Sequence, residues 1–280
     1  MSGRLDQLRT CLRLLALIPF ASIGLTGQAT AADGEPVDVE LVLAVDVSLS
    51  MSPEELEIQR AGYSAALTDP AVIEAILEGV HAKIALTYVE WAGDATQRVL
   101  VPWQVIASEE DAKRFAGQIT ATPSRSARRT SISAALSYAA GLFENSGFSG
   151  MKRGIDVSGD GPNNQGGPVD RARDEVIAQG VTINGLPLMT NGGGFAGMVD
   201  VVNLDEYYEN CVIGGPGAFV ISVNDWSQFP EAVRRKLVME LAAAPADIEA
   251  PKVTKAAAEF SNDCQIGEKI WRSRGWIDWQ

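Results

Sequence analysis

The chain has 280 residues, of which 46% are hydrophobic, and 36 acidic residues against 23 basic ones give a formal net charge of −13. This composition is typical of a globular protein with its own core. The acidic balance argues against nucleic-acid binding, which needs clustered lysines and arginines. One histidine and three cysteines exclude metal sites built from several histidines or from four cysteines.

Residues 1–31 have the pattern of a secretory signal peptide. Three arginines precede the apolar stretch LLALIPFASIGL, and the small residues at 29–31 follow it as a cleavage motif. The alternative is a membrane anchor, but the stretch contains Pro19 and is shorter than the roughly 20 apolar residues that span a bilayer. We therefore expect an exported protein, periplasmic or secreted, with no transmembrane anchor in the mature chain. Cleavage would remove three arginines, one aspartate and Cys11, which takes the net charge from −13 to −15.

The mature chain would then keep two cysteines, Cys211 and Cys264. In an oxidising compartment we expect them to form a disulfide that ties the C-terminal tail to the body of the protein. The alternative is two free thiols.

Strands and helices alternate along the body of the chain. Apolar, β-branched runs predict strands at 37–46, 83–91, 98–105, 153–158, 181–188 and 219–223. Helical spacing predicts helices at 54–67, 71–77, 109–119, 131–143, 169–179, 205–210 and 227–244. The turn at Gly93-Asp94 makes the second and third strands a hairpin. The order predicts an α/β fold: a doubly wound, mostly parallel six-stranded sheet with one antiparallel edge strand and helices on both faces.

Residues 244–280 differ in composition from the domain before them. A linker-like stretch is followed by a helical candidate at 254–260, and three of the six tryptophans stand in the last ten residues. We expect these rings to pack the tail on the domain, because aromatic side chains bury a large area. A tail that binds a partner is the alternative.

Oxygen-bearing side chains follow the predicted strands. Because every second residue of an extended chain points the same way, Asp46, Ser48 and Ser50 should converge past the first strand, where doubly wound sheets bind ligands. Thr130 directly precedes a helix, and Asp160 follows the strand at 153–158. Each alone is typical of a cap or a turn, but together they supply two carboxylates and three hydroxyls. This set favours Mg²⁺, with Mn²⁺ and Ca²⁺ as alternatives.

This combination resembles the von Willebrand factor type A domain with its metal-ion-dependent adhesion site, over about residues 37–243. The family's D-x-S-x-S falls on DVSLS at 46–50, and its threonine falls on Thr130. Its aspartate, usually in T-D-G, falls on Asp160, which stands here in G-D-G because Gly159 replaces the threonine. The stretches SGDGPNN and GGPGAFV resemble a bacterial exported subfamily of undefined function.

The resemblance implies a function. In the family the hydroxyls and aspartates hold Mg²⁺, some through water, and an open coordination position accepts an Asp or Glu carboxylate from a partner protein. We therefore expect cation-dependent protein binding of the adhesion type and no enzymatic activity. A hydrolase that activates water on the same metal and a structural module with a vestigial site are the alternatives. The single histidine, His81, precedes the strand at 83–91 and so belongs to the opposite edge of the sheet from the metal ligands.

Polar residues beside the predicted site leave two interpretations open. Asn163 and Asn164, in the loop after Asp160, either contact a partner or order the loop. Three arginines before Thr130 either attract an acidic partner or form a solvated run; they are Arg125, Arg128 and Arg129.

Overall fold

A mixed β-sheet forms the centre of the protein. The computed structural model describes residues 34–123, 125–190, 203–242 and 263–273, and within these the sheet has five strands in the order β3-β2-β1-β4-β5. The strands are β1 (Glu35–Asp46), β2 (Ile84–Trp91), β3 (Gln97–Ile106), β4 (Phe148–Gly159) and β5 (Thr182–Pro187). Only β3 is antiparallel, and it pairs with β2 at the edge. The predicted α/β class with one antiparallel edge strand is confirmed.

Helices cover both faces of this sheet. They are α1 (Pro53–Leu67), α2 (Pro70–Leu77), α3 (Glu109–Thr120), α4 (Ile132–Gly141), α5 (Val169–Ile177), α6 (Leu204–Tyr207), α7 (Phe229–Leu241) and α8 (Ile266–Ser273). A π-helical turn, Tyr208–Val212, continues α6. Helices α1, α2, α3 and α7 contribute to one apolar core, whereas α4, α5 and the α6 segment contribute to the other.

Strand β1 is buried on both faces, which explains its nearly continuous apolar sequence. Leu41, Leu43 and Val45 belong to the core beneath α1 and α7, and Val42 and Ala44 belong to the core beneath α4 and α5. β1 therefore lies in the middle of the molecule, and its last residue ends in the interior.

A capping box fixes the start of α1 just after the predicted ligand loop. The Glu55 N–H donates to Ser52 Oγ at 3.2 Å, and the Ser52 N–H donates to Glu55 Oε2 at 2.8 Å. Pro53 occupies the first turn, where its missing N–H costs nothing. Ser52 is therefore the N-cap of α1.

The prediction of a sixth strand at 219–223 is wrong. This segment runs beside β5 but makes only isolated parallel bridges to it. The Ile221 N–H donates to the Gly185 carbonyl at 3.1 Å, and the Val223 N–H donates to the Pro187 carbonyl at 3.0 Å. Because Pro187 has no N–H, it cannot donate the intervening ladder bond to Ile221, and the pairing breaks at this point.

Some predictions fall outside the described residues. These are the signal peptide at 1–31, the helix at 254–260, and the positions of Trp276 and Trp279. Among the residues that are described, no helix has both the length and the apolar character needed to cross a membrane.

A buried charged cluster joins α7 to the sheet. Lys236 Nζ lies 2.8 Å from Asp156 Oδ1 on β4 and 2.5 Å from Glu240 Oε1, and all three side chains are buried. The Asn184 amide on β5 also donates to Glu240, at 2.8 Å. The cluster contains two carboxylates and one ammonium group, so its net charge is negative when both carboxylates are ionised. Burial, partly offset by Lys236 and reinforced by Glu240, raises the pKa of Asp156 to about 7.

We expect Asp156→Asn to change how stability depends on pH. A carboxyl that titrates near 4 when unfolded and near 7 when folded binds more protons in the native state, so the wild type loses stability as pH rises from about 4 through about 7. The asparagine amide is uncharged, and Lys236 keeps Glu240 as its partner. The difference in unfolding temperature between the variant and the wild type should be small near pH 5 and should grow in favour of the variant up to pH 8.

Thermal unfolding followed by circular dichroism between pH 5 and pH 8 measures this difference. Exposed Asp174→Asn serves as the matched control, because a surface pair such as Arg173–Asp174 contributes little. A constant difference between Asp156→Asn and the wild type at every pH would contradict the prediction.

Candidate functional site

The end of β1 and the residues after it place one carboxylate and two hydroxyls close together. β1 ends at Asp46, and the Ser48 N–H donates to Asp46 Oδ1 at 2.7 Å. Ser48 Oγ and Ser50 Oγ lie 2.7 Å apart and share a hydrogen bond. The chain therefore turns back on itself immediately after the strand, which keeps the three side chains together.

The second carboxylate is that of Asp160, which directly follows β4, and β4 is paired in parallel with β1. Ser50 Oγ donates to Asp160 Oδ1 at 2.7 Å, although the two residues are 110 positions apart in the chain. Four of the predicted ligands thus form one chain of hydrogen bonds, from Asp46 through Ser48 and Ser50 to Asp160.

The Asp46 carboxylate is fully buried. Its Oδ2 atom has no hydrogen-bond partner among the described residues. Burial, and after it the nearby Asp160 charge, raises the pKa of Asp46 well above its ordinary value, while hydrogen bonds from Ser48 and from the Asp160 backbone oppose this rise. A buried carboxylate oxygen without a partner is costly. A cation bound next to Asp46 would offset this cost.

The segment before α4, residues 125–131, is the second loop of the site and is paired with the first loop, residues 47–52 between β1 and α1. The Ala127 N–H donates to the Val47 carbonyl at 3.0 Å, and the Leu49 N–H donates to the Ala127 carbonyl at 2.9 Å. Farther along, the Ser131 N–H donates to the Ala92 carbonyl, just past β2, at 2.7 Å. Backbone hydrogen bonds therefore fix this second loop between β1 and β2.

Thr130 is buried and is held by the third loop, residues 160–168 between β4 and α5. The Thr130 N–H donates to Asn164 Oδ1 at 3.0 Å, and the Asn164 N–H donates to the Thr130 carbonyl at 2.8 Å. Ser131, not Thr130, caps α4, because its Oγ accepts from the Ala134 N–H. The Thr130 hydroxyl is therefore not used for capping.

Asn163 and Asn164 have their side chains inside the protein. Asn163 is fully buried; its Oδ1 accepts from the Ser133 N–H at 3.0 Å, and its Nδ2 donates to Glu268 Oε1 at 2.7 Å. Asn164 is 9% exposed and pairs with Thr130. Of the two interpretations that the sequence left open, these contacts match the ordering of the loop.

A glycine stands where the resemblance would place a threonine, and the surroundings explain it. A Cβ on Gly159 would lie 2.9 Å from Tyr208 Oη, 3.0 Å from Asp46 Oδ2 and 3.3 Å from the Trp91 ring. Burial, followed by the Asp46 charge, raises the pKa of Tyr208 well above its usual value, so this hydroxyl stays protonated. Tyr208 therefore fills the space that a side chain at 159 would need.

Helix α8 lies beside the second and third loops, and the sequence did not reveal its contacts. A disulfide joins Cys264, just before α8, to Cys211 in the π-helical turn, with their Cα atoms 5.4 Å apart. Glu268 contacts the third loop, and the Arg129 guanidinium lies 3.6 Å from the centre of the Trp271 ring. The signals of this docking in the sequence were Cys264 at the start of the segment and the tryptophans that follow it, among them Trp271.

His81 contacts no part of this cluster. Its backbone N–H donates to Asp38 at 2.9 Å, near the amino end of β1, and its side chain is exposed. Among the described residues there is also no group of three or more His, Cys, Asp or Glu side chains that suits a metal ion. A cation at the Asp46 cluster would therefore depend on hydroxyl oxygens.

The family of the chain follows from comparison with known proteins. Residues 36–245 match the family described as "Protein of unknown function (DUF1194)", so the chain belongs to this family, which is von Willebrand factor A-like. No curated protein matches the chain.

Solved structures share the fold at low sequence identity. Proximal thread matrix protein 1 (PTMP1) from the mussel byssus is 18% identical over 74% of this chain, with a TM-score of 0.51. The chain spans about half of PTMP1, 49% of its length. The pilus adhesin SpaC from Lactobacillus rhamnosus GG is 11% identical, with a TM-score of 0.52 over 74% of this chain and 31% of SpaC.

Two further structures are similar at lower scores. A von Willebrand factor type A structure from Catenulispora acidiphila is 16% identical over 72% of this chain and 42% of its own, with a TM-score of 0.48. PTMP1 has also been solved with zinc in its metal-ion-dependent adhesion site (MIDAS) motif. That structure is 19% identical over 74% of this chain and 48% of its own, with a TM-score of 0.49. The family match over residues 36–245 confirms the predicted resemblance to the von Willebrand factor type A domain.

We expect Gly159→Ala to destabilise the protein by about 1–3 kcal/mol, because overpacking a close-packed site costs this much. Gly161→Ala is the matched control, since a Cβ at 161 would meet nothing within 4 Å. Urea unfolding measures both changes. Combining Gly159→Ala with Tyr208→Phe should recover part of the loss, because it removes the nearest atom. Equal losses for Gly159→Ala and Gly161→Ala would contradict this explanation.

Proposed function

We propose that this protein is an exported, divalent-cation-dependent protein-binding module of the adhesion type. The carrying observation is that Asp46, Ser48, Ser50 and Asp160 meet in one hydrogen-bonded cluster around a buried carboxylate oxygen that has no partner among the described residues. Thr130, which the third loop holds through Asn164, is the fifth proposed ligand.

The chemistry of these atoms fits a hard cation. All five side chains offer oxygen, which Mg²⁺, Mn²⁺ and Ca²⁺ prefer, and the small number of carboxylates favours Mg²⁺. The nearby Asp160 charge opposes ionisation of Asp46, and a divalent cation would offset that repulsion. The proposed cofactor is therefore Mg²⁺, with Mn²⁺ and Ca²⁺ as alternatives.

Once a divalent cation is bound, the ligand set would carry no excess negative charge to repel an external carboxylate. Asp46 and Asp160 together neutralise a divalent cation, and the three hydroxyls add no charge. When bound, the cation supplies a coordination position for an oxygen from outside. We propose that the partner is a protein that presents an Asp or Glu side chain there.

The surface around the cluster also suits such a partner. Leu49, between the two serines, is 53% exposed because its backbone is held by Ala127. Arg125 and Arg128, on either side of Ala127, are exposed as well. The whole chain has a net charge of −13, whereas these arginines make the surface beside the cluster locally positive. Salt screens the distant acidic surface beyond about 8 Å, so the local charges dominate at the site.

Export is supported by the disulfide. Structural disulfides form and persist mainly in oxidising compartments, and Cys211 is bonded to Cys264. We propose that residues 1–31 are a signal peptide and that the protein works in the periplasm or outside the cell.

We expect Mg²⁺ to raise the unfolding temperature of the purified protein, because a ligand that binds only the folded state stabilises it. At about 100 times the Kd the gain is about 2.7 kcal/mol. Asp46→Asn should abolish the Mg²⁺-dependent shift, and exposed Asp174→Asn should keep it. Differential scanning calorimetry with Mg²⁺, Mn²⁺, Ca²⁺ or chelator makes the measurement. No shift with any cation would contradict the proposal and favour a vestigial site.

We expect protein capture by the immobilised chain to require Mg²⁺ and to fall when Arg125 and Arg128 are both changed to Glu, because the acidic partner would then be repelled. Lys152→Glu, an exposed charge reversal near the start of β4, is the control and should capture normally. Capture that is equal in Mg²⁺ and in chelator would contradict cation-dependent binding. Mg²⁺-dependent turnover of phosphate or ester substrates that disappears in Asp160→Ala would favour the hydrolase instead.

A further inference from the structure

Helix α8 reaches the proposed site from a distant part of the chain. The disulfide holds its start against the π-helical turn, and the Tyr207 hydroxyl donates to the Cys264 carbonyl at 3.3 Å. α8 has only eight residues, and helices of this length are marginal alone in water. Its position therefore depends on the disulfide and on the contacts it makes with the domain.

The first of these contacts is with the third loop. Gly267 packs so closely on Asn163 that a Cβ at 267 would overlap the Asn163 carbonyl. Beside it, Glu268 Oε1 accepts from Asn163 Nδ2 at 2.7 Å. The Asn163 N–H in turn donates to Tyr207 Oη at 3.2 Å. Asn163 is thus held on one side by α8 and on the other by the segment to which α8 is tethered.

The contact between α8 and Asn163 also bears on Thr130, a proposed ligand. Asn164, the next residue, exchanges two hydrogen bonds with Thr130, at 2.8 and 3.0 Å. Asn163 Oδ1 also accepts from the Ser133 N–H in the first turn of α4. The position of Asn163 therefore sets where Thr130 lies relative to Asp160.

The second contact is with the loop that carries Thr130. Arg129 has a φ of +74°, in the left-handed region that side chains other than glycine rarely adopt. Its guanidinium lies 3.6 Å from the centre of the Trp271 ring, within cation–π distance. Trp271 thus helps to hold the residue before Thr130 in an unfavourable backbone conformation.

We propose that α8 is a brace that sets the cation affinity of the site, with Glu268 and Trp271 as positioning residues. The inference rests on the proposed function, because it assumes that Thr130 and Asp160 hold the cation. Residues that orient metal ligands from outside the coordination sphere commonly change metal affinity by 10–100-fold when mutated. The brace holds the second and third loops in place before the cation binds, so less conformational entropy is lost when the cation binds.

Isothermal titration of the full purified chain with MgCl₂ tests the brace. We expect Glu268→Ala and Trp271→Leu each to weaken Mg²⁺ binding by about tenfold or more. Glu268→Gln should restore near-normal affinity, because its Oε1 still accepts from Asn163. Lys269→Ala, which removes a charge on the same helix that pairs with Asp263, is the control and should bind Mg²⁺ normally.

Hydrogen exchange without metal provides an independent readout. The amide protons of Thr130, Ser133 and Asn164 should exchange faster in Glu268→Ala than in the wild type, whereas those in β1 should be unchanged. Unaltered Mg²⁺ affinity in both Glu268→Ala and Trp271→Leu would overturn the proposed role in cation affinity. If the wild type itself binds no cation, the proposed function fails, and the exchange rates alone decide whether α8 holds the two loops.

Discussion

The buried carboxylate of Asp46 is the constraint on which the site depends. β1 is covered on both faces, so its last residue ends in the interior, where a carboxylate loses its hydration. The Ser48 N–H satisfies one oxygen, and the other has no partner among the described residues. An unsatisfied buried group costs about 1–3 kcal/mol. The core that stabilises the fold thus places a costly acceptor in the interior, where a cation or another hydrogen-bond donor would offset the cost.

The loops around this carboxylate are fixed mainly by backbone hydrogen bonds. The first loop is closed by the capping box of α1 and paired with Ala127, and the second and third loops are joined through Asn164. Backbone pairs of this kind leave few conformations open to the side chains between them. The serine and aspartate oxygens are therefore brought together by the fold, before any ligand is present.

The likeness to PTMP1 and SpaC shows the fold alone, because their identities to this chain are 18% and 11%. Two features beside the candidate site are seen in this chain's own contacts. Tyr208 fills the space beside Gly159, and a disulfide carries α8 across the third loop. Both originate after β5, so the segment that follows the sheet shapes the site that the first four strands build.

The sequence by itself determined the α/β class, the hairpin edge and the types of side chain at the strand ends. These follow from local patterns: the apolar run of β1, the turn at Gly93-Asp94, and Asp and Ser at alternate positions after a strand. The tertiary structure decided which groups meet. The missing bond of Pro187 mattered only once residues 219–223 lay beside it, and Asn163 meets Glu268, 105 positions away, only because α8 packs on the third loop. Periodicity reports which face a residue takes on its own element, whereas contacts across the chain depend on how separate elements pack.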